Sequence, residues 1–145
     1  MLKKLKKFSQ LSFEQKLIFI EAFFTLGMMS RAIHTKELKE ITKDTTQHKG
    51  EKRHTSTSKE DLQKAKMIGD IVTKASVYTP WQSACLAQSL TIMQMLKRRS
   101  ISGVFYLAAS KNNDLKAHAW SMHQDTILTG KNGIENFTIL STFEW

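Results

Sequence analysis

At 145 residues the chain has the size of one domain, and a 41% hydrophobic content with 8 Phe and 3 Trp supplies a core, which excludes a wholly disordered chain. A single Pro and 6 Gly exclude collagen-like and linker-dominated classes, while the lone Cys85 excludes an intramolecular disulfide and a multi-cysteine zinc site and fits a reducing, cytoplasmic setting. The net charge of +9 is concentrated towards the start: residues 1–60 carry 13 basic and 7 acidic side chains, residues 61–145 carry 9 and 6, a balance that attracts nucleic acid, anionic lipid or acidic peptide without choosing among them.

The basic start, Met1 to Lys7, followed by the apolar stretch Leu17 to Met29, invites a membrane-anchor or signal-peptide reading. Against it, Glu21 interrupts the stretch, its length falls short of the ~20 residues a spanning helix needs, and no small-residue cleavage pattern precedes Arg31. A helix fits better: Ser12 followed by Gln15 is a capping-box pattern, and good helix formers continue to about Ile33. Residues 36 to 58 change character, and from Lys43 to Ser58 there is no large hydrophobic side chain, so residues 43–58 read as a polar, flexible loop.

Ser58 with Asp61 repeats the capping pattern, and Leu62, Ala65, Ile68, Ile71, Val72 and Ala75 fall at helical spacing, predicting a helix to Val77. Thr79, Pro80 and Gln82 read as cap, first residue and box partner of a third helix, which runs through Cys85, Leu90 and Leu96 to Lys97, Arg98 and Arg99. Beyond Ser100 the texture is that of strands: Val104 to Ala109, Lys116 to Met122, Thr126 to Leu128 and Phe137 to Phe143, with turns at residues 112–114, 124–125 and 131–133. Helices first and an antiparallel meander afterwards is an α+β layout, divided as an N-terminal helical segment 1–42, the loop 43–58 and a core 59–145 within one domain.

Cys85 falls in the second turn of the third helix, near the partial positive charge of its N-terminus, where a nucleophilic sulfur is favoured; the plainer role is core filler beside Ala84 and Leu86. A cysteine nucleophile needs an imidazole to take its proton and return it to the leaving amine. Of five histidines, His34, His48 and His54 lie in polar surroundings, and His123 sits near a turn and reads as exposed. His118, between Ala117 and Ala119 on a strand, leaves room for a close approach. Gln82 lies one helical turn before Cys85 and could donate to an oxyanion, in competition with its role as a cap.

These residues carry a resemblance. The segment Tyr78-Thr79-Pro80-Trp81-Gln82-Ser83-Ala84-Cys85-Leu86, followed by Leu96 to Ile101, Tyr106-Leu107, Ala117-His118-Ala119-Trp120 and Ile127-Leu128-Thr129-Gly130, resembles the lasso-peptide biosynthesis leader peptidases, within the transglutaminase-like cysteine-protease superfamily. The match spans roughly residues 62 to 145. It implies a papain-like α+β core in which a helix bearing the nucleophile Cys85 packs on a small antiparallel sheet bearing His118, the general acid/base. Many relatives add an Asp about twelve positions after the histidine, where this chain has Gly130. The orienting group is then Asn132, Asp125 or a backbone carbonyl, with a simple hairpin pairing residue 118 near 131 and so favouring Asn132 over Asp125 at the far turn, and a Cys-His dyad without a charged third member is a further alternative.

The resemblance further implies removal of a leader from a ribosomally made precursor, aided by a separate leader-recognition protein, before an ATP-using cyclase closes the ring. ATP dependence is implied for the peptidase by resemblance alone, since no Gly-rich phosphate loop ending in Lys-Ser/Thr is present; no cofactor and no metal are expected. Neither nucleic acid nor a membrane is an expected partner: the Lys-rich stretches lack interleaved aromatics except Phe8. Two other readings stand beside this one, a non-catalytic module that docks a partner or membrane and a transglutaminase-type acyl transferase in which an amine replaces water.

Overall fold

The computed structural model describes residues 2–52, 55, 58–112 and 116–145. Helices α1 (Leu2–Ser9), α2 (Phe13–Thr35) and α3 (Leu38–Ile41) lead into strand β1 (Thr46–Lys49), then α4 (Lys59–Ser76) and α5 (Cys85–Lys97). Strands β2 (Val104–Ser110), β3 (Ala117–His123), β4 (Thr126–Thr129) and β5 (Phe137–Glu144) follow, with a short 3-10 turn at Ile134–Asn136. The five strands form one antiparallel sheet in the order β1-β5-β2-β3-β4, so the α+β expectation holds.

Two of the three predicted capping patterns form, at Ser12 and at Ser58. Ser12 Oγ accepts from the Gln15 amide at 3.2 Å while Gln15 Oε1 accepts from the Ser12 amide at 3.0 Å, and Ser58 Oγ accepts from the Asp61 amide. The α2 helix is longer than its apolar stretch, and its 23 residues suffice by length and composition to cross a membrane, so length does not argue against a span. On one side of the helix Ile18, Ala22 and Leu26 are buried in a core shared with Ile68 and Val72 of α4 and Ile92 and Leu96 of α5. The opposite side of α2 leaves Phe13, Leu17, Ile20, Phe24 and Met28 exposed.

Part of the segment expected to be a flexible loop is an edge strand. With no large apolar side chain to bury, β1 is held by its ladder to β5, in the register Thr46↔Glu144 to Lys49↔Ser141. The chain beyond it is tied down as well: the Gly50 amide donates to the Leu140 carbonyl, the Lys52 amide to Thr142 Oγ1, and the Tyr106 hydroxyl to the Lys52 carbonyl. His48 is not merely solvated, because its ring faces the Glu144 carboxylate at 3.2 Å. Lys52, bonded to Glu144 at 2.7 Å, is the main reason that carboxyl is held below the usual range, ahead of His48. His54 and most of the 112–114 turn lie outside the described residues.

His123 is buried rather than exposed, with its Nδ1 2.7 Å from the Ser102 carbonyl, and the adjoining turn is tied down where Gln124 Nε2 donates to the Ser58 carbonyl at 2.9 Å. The turn has two residues, with His123 opposite Thr126 and Gln124 at positive φ.

Candidate active site

The third predicted helix begins five residues later than Thr79 as its cap suggests. The Thr79 hydroxyl, instead of capping, lies 3.0 Å from the Ser76 carbonyl, 3.1 Å from that of Trp81 and 2.8 Å from Ser83 Oγ, knotting residues 79–83 into a loop. The helix α5 starts at Cys85, after Ala84 as N-cap, so Cys85 occupies its first residue rather than its second turn. The amides of Cys85, Leu86 and Ala87 have no carbonyl four residues back inside the helix, and the first such bond runs from Gln88 to Ala84. Partial positive charge therefore concentrates beside the sulfur.

The loop that delivers Cys85 rests on α2. Trp81 meets Phe23 edge-on at 5.1 Å, and its indole lies where a Cβ on Gly27 would come within 2.9 Å, so a side chain at 27 would push the ring off its seat. Ser30 Oγ donates to the Gln82 carbonyl at 2.9 Å. Gln82 is held by its backbone, its side chain is exposed and does not cap α5, and it is not among the residues lining the cleft described next.

Cys85 and His118 line one cleft of about 350 Å³, together with Thr73 of α4, Gln88 of α5 and residues 127–132 around the end of β4. The histidine reaches it from β3, where it pairs with Ala108 of β2 and is flanked by Trp120 at 5.6 Å and Phe137 at 5.0 Å between ring centroids. Its Nε2 lies 2.7 Å from the Gly130 carbonyl oxygen. A carbonyl only accepts, so this contact places the proton on Nε2 and leaves Nδ1 with its lone pair.

A bulge produces that contact. Register shifts from Met122↔Ile127 to Ser121↔Thr129, which inserts Leu128 as an extra residue and displaces the pairing that a simple hairpin would give. Gly130 follows at φ 79°, and a Cβ there would lie 2.5 Å from the Ala119 carbonyl and 2.8 Å from the Trp120 Cβ. Only glycine fits, and no Asp can stand at this position without moving β3. Among the three possible orienting groups, the structure brings the backbone carbonyl to the imidazole. Asn132 lines the cleft but makes no hydrogen bond to His118, and exposed Asp125 sits at the far turn, outside the cleft.

Sequence reasoning missed Gln88, one helical turn after Cys85 and therefore on the same side of the helix, a spacing that could have revealed it. Its Nε2 donates to the Ser83 carbonyl at 2.9 Å, and its Oε1 accepts from Thr129 Oγ1 at 2.8 Å, tying the loop before Cys85 to the strand opposite. Among the described residues no cluster of three or more His, Cys, Asp or Glu could hold a metal ion.

A cysteine at a helix start sharing a cleft with a strand-borne histidine brings together the two residue types that thiol acyl transfer uses. The transglutaminase-like superfamily family model matches residues 31–142. The chain belongs to this superfamily. The match begins well before residue 62, taking in the end of α2 and the β1 segment. Transglutaminase-like proteins are typically catalytic, with cysteine-protease or acyltransferase chemistry. Neither the curated proteins nor the solved structures contain a match.

Proposed function

We propose that this transglutaminase-like protein is a cysteine peptidase that removes the leader from a ribosomally made lasso-type precursor. The observation that carries the peptidase reading is the cleft shared by Cys85 and His118, with the imidazole fixed through Nε2 on the Gly130 carbonyl. The resemblance of the motifs around Cys85, His118 and Gly130 to leader peptidases supports the substrate.

In this reading Nδ1 of His118 takes the thiol proton of Cys85, and the sulfur attacks the carbonyl at the leader–core junction. The tetrahedral oxyanion is met by the unpaired amides at the start of α5, with the second Nε2 proton of Gln88 as side-chain donor in place of Gln82. Collapse breaks the C–N bond, and Nδ1–H protonates the departing amine of the core peptide. Water then adds to the leader thioester, passing a proton to Nδ1 and from there back to the sulfur, which releases the leader carboxylate and restores the enzyme. Nucleophile, acid/base and water complete the cycle without a cofactor. The leader-recognition protein and the cyclase belong to the same reading, as does action in the cytoplasm.

The test is mass spectrometry of a lasso-type precursor incubated with this protein and its recognition partner, with and without ATP. We expect cleavage at one junction by the wild type and at least a thousandfold less by Cys85→Ala or His118→Ala, consistent with loss of a nucleophile or its base. Equal cleavage by Cys85→Ala overturns the mechanism. A product in which an added amine caps the leader carboxyl moves the reaction to acyl transfer.

A further inference from the structure

The cleft of about 350 Å³ is small for a peptide substrate, so binding energy for choosing one junction must come from elsewhere on the surface. A larger groove of about 680 Å³ lies between α1, the start of α2 and the C-terminal end of α4. Phe8, Phe19, Ile71 and Tyr78 give it an apolar floor, with Phe8 edge-on to Phe19 at 5.3 Å and Phe19 edge-on to Tyr78 at 6.0 Å. Three cations, Lys4, Lys7 and Lys74, line it and no acidic residue does. Lys4 Nζ already sits 5.1 Å from the centre of the Tyr78 ring, which leaves its charge over the apolar floor.

The two cavities share a wall. On α4, Ile71 and Lys74 line the groove while Thr73 lines the Cys85 cleft, so the last turns of that helix separate them. Just past this helix end Val77 and Tyr78 are both exposed, and Tyr78 itself lines the groove. We propose that the groove binds a segment of the peptide substrate carrying carboxylates and large apolar side chains, remote from the cleaved bond. Charge complementarity selects the carboxylates, the aromatic floor selects the apolar side chains, and the common wall with the cleft selects a peptide over a lipid.

The inference takes the occupant's identity from the peptidase reading, and the two are tested apart. Binding is read on Cys85→Ala protein by fluorescence anisotropy, using a short fluorescein-labelled peptide of leucine, glutamate and serine and its counterpart with glutamine for glutamate. We expect the acidic probe to bind more tightly, to weaken with salt, and to lose about tenfold in affinity when Lys4→Glu and Lys74→Glu are combined. Both lysines are exposed, and an unchanged thermal melt confirms that the double variant is folded. Equal affinity for the two probes, or no loss in the folded double variant, overturns the proposal. So does binding to phosphatidylglycerol vesicles without binding to the acidic peptide, which marks a membrane site. Probe binding with no precursor cleavage by the wild type leaves the groove standing and removes the peptidase reading instead.

Discussion

At the scale of single residues, the site turns on Gly130. Its left-handed backbone, packed where a Cβ would collide with the Ala119 carbonyl, presents its own carbonyl to His118, so the group that holds the imidazole is neutral main chain rather than a carboxylate. Asn132→Ala and Asp125→Ala are therefore expected to keep cleavage within about threefold of wild type, a change of well under 1 kcal/mol in barrier. Gly130→Ala should cost about 2–4 kcal/mol of stability, from the positive φ and the crowding of β3 together, and Gly130→Asp should lower activity rather than strengthen it. Thermal melts beside steady-state cleavage rates check both expectations. Cys85 and His118 were legible in the sequence as residue types in a suitable order. The carbonyl was not singled out, because a one-residue bulge at Leu128 decides it and nothing in residues 126–130 announces a bulge.

At the scale of elements, the cleft depends on how closely α4 approaches β4. A Cβ on Gly69 would meet the Leu128 carbonyl oxygen at 2.6 Å, so glycine is what lets the helix lie against the bulged strand. Gly69→Ala should push the two apart, destabilising the fold by about 1–3 kcal/mol and lowering cleavage as Thr73 and Thr129 separate across the cleft; comparing denaturant midpoints with kcat/KM tests this. The capped helices and four of the strands were readable because each carries its own periodicity and end signals. The α5 start was misread because Thr79-Pro80-Trp81-Gln82 satisfies a capping pattern that the Thr79 hydroxyl spends on a loop instead. Strand β1 escaped notice because an edge strand built from Thr46-Gln47-His48-Lys49 has no apolar alternation to display; its partner, β5, supplies the template.

At the scale of the whole molecule, one charge cluster ties the helical layer together. Glu21 of α2 accepts from Arg99 at 2.6 and 3.0 Å and from Arg98 at 3.0 Å, anchoring the end of α5 whose other end presents Cys85. The Arg99 guanidinium, ahead of the opposing effect of burial and with help from Arg98, holds the Glu21 carboxyl below its ordinary range. A carboxyl lowered on folding stabilises fully above its unfolded value, and the contribution fades as pH falls through the folded one. Glu21→Gln should thus lower stability by about 1–2 kcal/mol near pH 7, allowing for partial exposure of the cluster, and the gap to wild type should narrow by about pH 3. Paired thermal melts at the two pH values measure it.

The most direct test of the central claim, a Cys85 nucleophile activated by His118 in a peptide-binding cleft, is intact-protein mass spectrometry after exposure to a leader peptide ending in a chloromethyl ketone. Wild type should gain the mass of one peptide reagent less HCl as the Cys85 sulfur displaces chloride, much faster than it reacts with iodoacetamide, and His118→Ala should lose that advantage. Labelling of His118→Ala at the wild-type rate, or no preference for the peptide reagent, would contradict it.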